Sequence, residues 1–330
     1  MLRRLYSLIL YLATPLVLLR LFWRARKQPA YRAHLNERFA FYPAQPPHPS
    51  SLIWLHAVSV GETRAAEPLI RALLEHWPHH HLLITGMTPT GRETAQQLYR
   101  ERVLHAYLPY DLPDAVARFF DHFQPHFGIL METEIWPNLL AAAKYRNIPV
   151  SLVNARLSAR SARGYRHFSG LTAPAFACLT GVAAQTAADA ERLRQTGATQ
   201  VSVCGNLKFD VRPPPDLLTL GQHWRQQRNN RPAWLAASTR EGEEALLLDA
   251  WQQHPTPALL ILVPRHPQRF AEVGALLTAR GIRCQARSKG LPDSSTPAWR
   301  GASWGKWSRT TPAPSLPSSA AACCRWADRI

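Results

Sequence analysis

Ser51-Leu-Ile-Trp-Leu-His-Ala57 is an uncharged apolar run, and Thr63 to Leu74 follows it with apolar residues at helical spacing. The same alternation recurs: His81 to Thr85, Val103 to Tyr107, Phe127 to Met131 and Val150 to Val153 are short apolar runs, each followed by a segment of helical length. Strands that read as continuous apolar runs are buried on both faces, and strands separated by helices pair in parallel through right-handed crossovers. A doubly wound α/β domain is therefore expected, with its ligands at the carboxyl ends of the strands.

Working outward, the pattern breaks at Pro213, Pro214 and Pro215, which cannot continue a helix or a central strand, and a domain boundary is placed there. A second alternation starts with Trp234 to Ala237, a helix from about Glu241 to Gln253, the strand Ala258 to Val263, a helix from Pro267 to Arg280 and a short strand at Ile282 to Gln285. It then stops. From Leu291 to Ile330 the large aliphatic residues are Leu291, Leu316 and Ile330, among Ser, Pro, Ala and Trp, so residues 291–330 are read as an aberrant, disordered tail that adds nothing to the sheet. Trp299, Trp304, Trp307 and Trp326 are unusual in a selected linker, which points to a shifted reading frame. The expected division is residues 1–30, 31–212, 213–290 and 291–330, the second α/β domain being incomplete.

In the first segment, Leu5 to Leu19 is uncharged between Arg3, Arg4 and Arg20, Arg24, Arg26, Lys27. At helical rise it covers roughly 22 Å, short of a hydrocarbon core of about 30 Å. With Trp23 beside basic residues and no small-residue cleavage site, it reads as a retained interfacial helix or short anchor with its basic side cytoplasmic.

Composition narrows the partners. The 330 residues are 46% hydrophobic, enough for two cores, and the net charge of +17 suits phosphates or carboxylates on a partner. Five cysteines (Cys178, Cys204, Cys284, Cys323, Cys324) without paired C-x-x-C spacing imply reduced thiols and no zinc site. The basic residues form neither a recognition helix nor an aromatic-lined groove, so nucleic acid is not expected as a partner.

Candidate chemistry sits at the strand ends. In His56-Ala-Val-Ser-Val-Gly-Glu62, Glu62 reaches the ligand crevice at a helix N-terminus, whose dipole favours the ionised form of a general base, while Gly61 is expected to permit a tight turn. In Met131-Glu-Thr-Glu-Ile-Trp-Pro137, Glu132 and Glu134 stand at i and i+2, on one side of an extended chain, with Lys208, Arg156 and Arg160 as candidate cationic partners. Ser238-Thr-Arg-Glu-Gly-Glu243 opens a helix after a strand, an anion-binding arrangement, and Arg265 of Pro264-Arg265-His-Pro267 is placed to pair with a phosphate or carboxylate. No Walker loop and no G-x-G-x-x-G is present. His79, His80 and His81 read as a solvated turn.

With these residues in hand, the chain resembles the Kdo (3-deoxy-D-manno-octulosonic acid) transferases of lipopolysaccharide synthesis. The resemblance runs in order through LYLATPLVLLRLFWRARKQPAYRAHLNERFAFY, HAVSVGET, MTPTGRETA, YLPYDLPDAVARF, METEIWPNLL, NARLSARSARGY, GNLKFD, STREGEE and VPRHPQRF, to about residue 287. It implies a GT-B fold of two Rossmann-like domains, the first binding the acceptor lipid IVA and the second the donor CMP-Kdo. It further implies transfer of Kdo with inversion and release of CMP, at the cytoplasmic face of the inner membrane among its anionic lipids. By the same resemblance Glu62 is the general base, Glu132 and Lys208 stabilise the transition state, and Pro264 and Arg265 contact CMP. No cofactor or metal is expected, since fixed cations and helix dipoles can stabilise the phosphate. The chain departs from the family pattern in having Arg240 where histidine is usual, and in lacking the glycine-rich and Asn/Glu-bearing segments that complete the donor site. Two alternatives stay open at this point: a GT-B enzyme using a UDP-sugar on a lipid acceptor, and a non-catalytic membrane-associated remnant.

Overall fold

Every residue of the first strand, β1 (Leu52–His56), is buried, as its unbroken apolar run requires. The computed structural model describes residues 1–43, 52–99, 102–210, 215–266, 269–287, 290, 292–293 and 295–300. The chain divides into two compact units, Met1–Val211 and a second beginning at Arg212.

The first unit opens with a long helix, α1 (Leu2–Lys27). β1 is followed by α2 (Val60–Ala65) and α3 (Glu67–His76), two helices where the spacing predicts one; Pro68 falls in the first turn of α3, where its missing N–H costs nothing. Then come β2 (His81–Gly86), α4 (Pro89–Tyr99), β3 (Leu104–Tyr107), α5 (Pro113–Phe123), β4 (Phe127–Met131), α6 (Pro137–Tyr145) and β5 (Val150–Ala155). The unit is completed by α7 (Ala159–His167), α8 (Ser169–Phe176), β6 (Gly181–Ala184), α9 (Ala187–Gln195) and β7 (Val201–Val203). The sheet order is β3-β2-β1-β4-β5-β6-β7, and every pairing is parallel. The order reverses between β1 and β4, the switch point where the crossovers leave to opposite sides and a crevice opens at the carboxyl ends.

Each face of this sheet carries its own core. Trp54 of β1 anchors one face: its ring meets Phe119 edge-on at 5.1 Å and its Nε1 donates to the Thr85 hydroxyl at 2.8 Å. Gly128 of the neighbouring strand makes room for it, since a Cβ there would stand 2.6 Å from the indole. The other face packs Ile53 and Leu55 against Leu69, Ile70 and Leu73 of α3.

The second unit contains α10 (Pro215–Gln227), β8 (Ala233–Thr239), α11 (Glu243–Gln253), β9 (Leu259–Pro264), α12 (Phe270–Ala279), β10 (Cys284–Ala286) and β11 (Ala298–Arg300). Its strands are parallel in the order β10-β11-β9-β8. β11 corrects the expectation that nothing after residue 290 joins the sheet. Ala298 packs with Leu260, Leu262 and the α12 residues Val273 and Leu277 on one face. Trp299, 1% exposed, packs with Leu259, Ile261 and Trp224 on the other. A central parallel strand needs cover on both sides, and a tryptophan supplies it as well as the aliphatic residue the pattern calls for. The remaining tail, 301–330, with Trp304, Trp307 and Trp326, lies outside the described residues, as do 211–214 at the expected proline boundary.

Candidate functional site

Ser59, Val60, Gly61 and Glu62 form a capping box at the start of α2. The Glu62 N–H donates to Ser59 Oγ at 3.4 Å, while the Ser59 hydroxyl donates to Glu62 Oε1 and the Val58 N–H to Oε2, each at 2.9 Å. The half-buried carboxylate is thus fixed by two donors immediately after β1. Gly61 lies inside α2 without a left-handed backbone, and a Cβ there would come no closer than 3.8 Å to Ser59 Oγ, which corrects the expected tight turn. The close approach is at Gly91 instead. A Cβ at 91 would stand 2.8 Å from Thr88 Oγ1 and 3.4 Å from the Val58 carbonyl, so glycine lets α4 press against the loop that holds Glu62. Thr88 Oγ1 donates to that same carbonyl at 3.3 Å.

On the other side of the switch point, Glu132 follows β4 with a φ of 59°, and its N–H donates to the Val153 carbonyl at 3.0 Å. A left-handed glutamate is a sparsely populated conformation held by its surroundings. Across residues 132–134 the chain is therefore not the extended one expected to place both carboxylates on one side. Glu134 is instead turned by its own loop, Oε2 accepting from Trp136 Nε1 at 2.7 Å. Burial pushes the Glu62 carboxyl above the ordinary glutamate range, the Val58 and Ser59 donors oppose this, and the charges of Glu132 and Glu134 add to the rise. Glu134 is raised as well, first by burial and further by Glu132. Three carboxylates therefore share the β1/β4 switch point, and the expected depression of Glu62 by the helix dipole is overruled; α2 is a helix of only six residues. Among the described residues no ion pair joins any of the three to a cation. Arg156 and Arg160, named as candidate partners, are exposed; the Arg156 carbonyl accepts from the Thr133 hydroxyl.

His56 lies beneath this cluster, fully buried at the end of β1. Its Nδ1 is 3.1 Å from the Thr85 carbonyl and 2.9 Å from the Thr85 hydroxyl, and its ring meets Trp136 edge-on at 6.0 Å. Burial pushes its pKa down to about 3 against the Thr85 contact, so it stays neutral at physiological pH and cannot serve there as a proton donor.

Lys208 reaches the same edge of the sheet through Asn154. That residue, at the end of β5 with a φ of 55°, accepts the Leu207 N–H on Oδ1 at 3.1 Å. Asn206 Nδ2 donates to Gln185 Oε1 at 3.0 Å, and Asn206 Oδ1 accepts the Lys208 N–H at 3.0 Å. The chain leaving β7 is thereby drawn back toward β5, and Lys208 is left exposed. Ser59, Gly91, Asn154 and Asn206 were not singled out from sequence as site residues. Ser59 carries a signal, the S-x-x-E capping pattern; the others act through contacts that local spacing does not encode.

In the second unit, β8 bulges between Ala237 and Thr239, and Ser238 takes a φ of 62°. The Arg265 N–H donates to the Thr239 carbonyl at 2.9 Å, which brings the end of buried Pro264 and exposed Arg265 beside Ser238–Arg240. The α11 end differs from the expected anion site. Glu243 and Glu244 occupy its first turn, and Glu243 Oε2 already accepts the Arg240 N–H at 2.8 Å. Glu244 is buried and held by both terminal nitrogens of Arg269, at 2.8 and 3.0 Å, tying α11 to the start of α12. The Arg240 N–H is therefore already taken by a carboxylate, while Arg265 stands exposed beside these strand ends.

Comparison with known proteins adds to this geometry. Residues 33–211 match the family described as 3-deoxy-D-manno-octulosonic-acid transferase (kdotransferase). A 3-deoxy-D-manno-octulosonic acid transferase of Bordetella pertussis is 42% identical over 302 residues, spanning 87% of this chain and 70% of the relative. One from Haemophilus influenzae is 38% identical over 312 residues, 91% of this chain and 72% of the relative. Among solved structures, a glycosyltransferase from Rickettsia africae superposes with a TM-score of 0.50 at 12% identity, covering 78% of this chain and 69% of that one. That last likeness is one of fold: α/β, of the GT-B type.

Proposed function

The chain belongs to the Kdo transferase family, and from that membership we propose that it transfers Kdo from CMP-Kdo to lipid IVA with inversion, releasing CMP. The observation that carries the mechanism is the fixed, half-buried Glu62 carboxylate at the β1/β4 switch point, beside Glu132 and Glu134. Glu62 accepts the proton of the acceptor sugar hydroxyl as that oxygen attacks the anomeric carbon of Kdo and the bond to the CMP phosphate breaks. Its raised affinity for a proton suits a base working near neutral pH. Lys208 supplies positive charge and Glu132 opposing charge at the reaction centre, while Arg265 contacts the departing CMP beside Pro264. The first unit binds the acceptor and the second the donor. The apolar N-terminal helix and the net charge of +17 hold the enzyme to the anionic cytoplasmic face of the inner membrane, where its lipid acceptor resides.

The direct test incubates the purified chain with lipid IVA and either CMP-Kdo or a UDP-sugar. Transfer is expected from CMP-Kdo alone; transfer from the UDP-sugar, or from neither, refutes the reading. The pH profile gives a second check. Only ionised Glu62 is a base, so kcat/KM should fall as pH drops through its pKa, with the midpoint above the ordinary glutamate range. Ser59→Ala removes a donor that favours the ionised form, and should move this acid limb to higher pH, while Ser59→Thr should restore it. An acid limb unmoved in Ser59→Ala would mean that another group titrates.

A further inference from the structure

α1 is long and apolar enough to cross a membrane, yet its contacts oppose a crossing. Tyr6 donates to the buried Asp111 carboxylate at 3.1 Å, Asn138 Nδ2 donates to Ser7 Oγ at 3.0 Å, and the Tyr11 hydroxyl donates to Asp114. Asp111 also accepts the Asn138 and Leu139 N–H groups at 3.0 and 2.8 Å, so the clasp doubles as the cap of α6. At the far end of the helix, Leu21 and Ala25 pack on Tyr31 and Leu35, and Arg24 lies 4.7 Å over the Tyr31 ring. Both ends of α1 are therefore fastened to one unit, whereas a helix across a bilayer carries its ends about 30 Å apart on opposite sides.

The clasped residues 6, 7, 21 and 25 fall on one face. Turned away are Leu5, Leu8, Leu12, Leu16, Leu19 and Trp23, each about half or more exposed, Leu12 at 70%. Their spacing of three or four residues makes a continuous apolar stripe. Arg3 and Arg4 at one end, and Arg20, Arg24, Arg26 and Arg32 at the other, are exposed, and no acidic residue precedes Glu37. An open depression of about 600 Å³ is lined by Leu16, Leu19, Phe22 and Trp23 together with Arg20, Arg26 and Arg32. Apolar side chains beside guanidinium groups match an acyl chain beneath a phosphate headgroup.

We propose that α1 lies in the plane of an anionic leaflet, its leucine stripe in the acyl boundary and both termini on the side of the globular unit. This rests on the membrane location given above and adds the orientation. The test uses the full chain with an N-terminal epitope tag in a Gram-negative host, with protease added to intact spheroplasts or to inverted inner-membrane vesicles. The tag should survive in spheroplasts and be lost in inverted vesicles. Loss in spheroplasts means that α1 crosses, which overturns the orientation and leaves the membrane location standing; absence of the chain from the membrane fraction overturns both. With purified chain, vesicles containing phosphatidylglycerol should bind at least tenfold more tightly than pure phosphatidylcholine, and Leu12→Glu with Leu16→Glu should abolish binding. Equal binding to both vesicles refutes the anionic occupant. Self-association lost in that double variant, without vesicle binding, would assign the stripe to a second copy of the chain.

Discussion

Glu62→Gln is expected to lower kcat for Kdo transfer by about 10²–10⁴-fold, the usual range for losing a positioned general base, with the KM for CMP-Kdo little changed. A thousandfold loss corresponds to roughly 4 kcal/mol of barrier. The substitution is chosen because it keeps the local structure. The side-chain amide has the carboxylate's shape, its oxygen can still accept the Val58 N–H, and its NH₂ can donate to the Ser59 hydroxyl, so the start of α2 stays capped. Replacing a group crowded by Glu132 and Glu134 with a neutral one also relieves repulsion, so the variant should unfold no more easily than the parent. A rate loss with unchanged thermal midpoint therefore isolates the proton transfer. Turnover within tenfold of the parent would end the assignment of Glu62, and Glu134, the other carboxyl raised by burial at this switch point, would become the group to examine. Glu134→Gln serves as the companion. Removing its charge lowers the proton affinity of Glu62, so the acid limb should move to lower pH with activity retained.

What could be read in advance follows from how far apart the cooperating residues lie. β1 to β5 are legible because parallel strands buried on both faces are written as unbroken apolar runs such as Leu52 to Leu55. β6 and β7 are not: Gly181-Val-Ala-Ala184 is made of small residues, and Val201–Val203 is a partly exposed edge. Glu62 is visible because its strand, cap and helix are contiguous. Neither the left-handed turn at Glu132 nor the return of Leu207 to Asn154 is visible, since each depends on a neighbouring strand brought in by the fold. Asp111, in YLPYDLPDAVARF, shows its role only when Tyr6, 105 residues away in sequence, meets it. β11 fails the aliphatic pattern because it is covered through Trp299 and Trp224.

Glu37→Ala carries the largest expected cost in stability. Glu37 is 5% exposed; its Oε2 accepts from Arg92 Nη1 at 2.5 Å and from the Tyr107 N–H at 2.8 Å, while Oε1 lies 2.9 Å from His34 Nδ1. Arg38 is buried beside it, donating to the Met87 carbonyl at 3.3 Å and lying 4.3 Å over the Tyr107 ring. One carboxylate thus serves a neighbourhood containing two guanidinium groups. Deleting it leaves Arg92 without its counter-charge and the Tyr107 N–H without its acceptor, a loss of about 3–5 kcal/mol for a broken buried pair. At roughly 2–4 °C per kcal/mol for a unit of this size, the thermal midpoint should fall by on the order of 10 °C. A double variant, Glu37→Leu with Arg92→Met, removes both charges and should recover a large part of that loss. Equal midpoints for the single and double variants would show that the pair is not what stabilises the unit. The consequence reaches the carboxyl end of the sheet, where Glu62 stands. Met87 and Tyr107 lie at the carboxyl ends of β2 and β3, and the segment after Met87 carries Thr88 and Gly91, which press on Val58 and Ser59. The buried guanidinium cluster is therefore a footing for the loop that aims Glu62. Glu37→Ala, assayed well below its lowered midpoint, should lose turnover by loosening that loop; under the proposed division of acceptor and donor between the units, its KM for CMP-Kdo should stay close to the parent's.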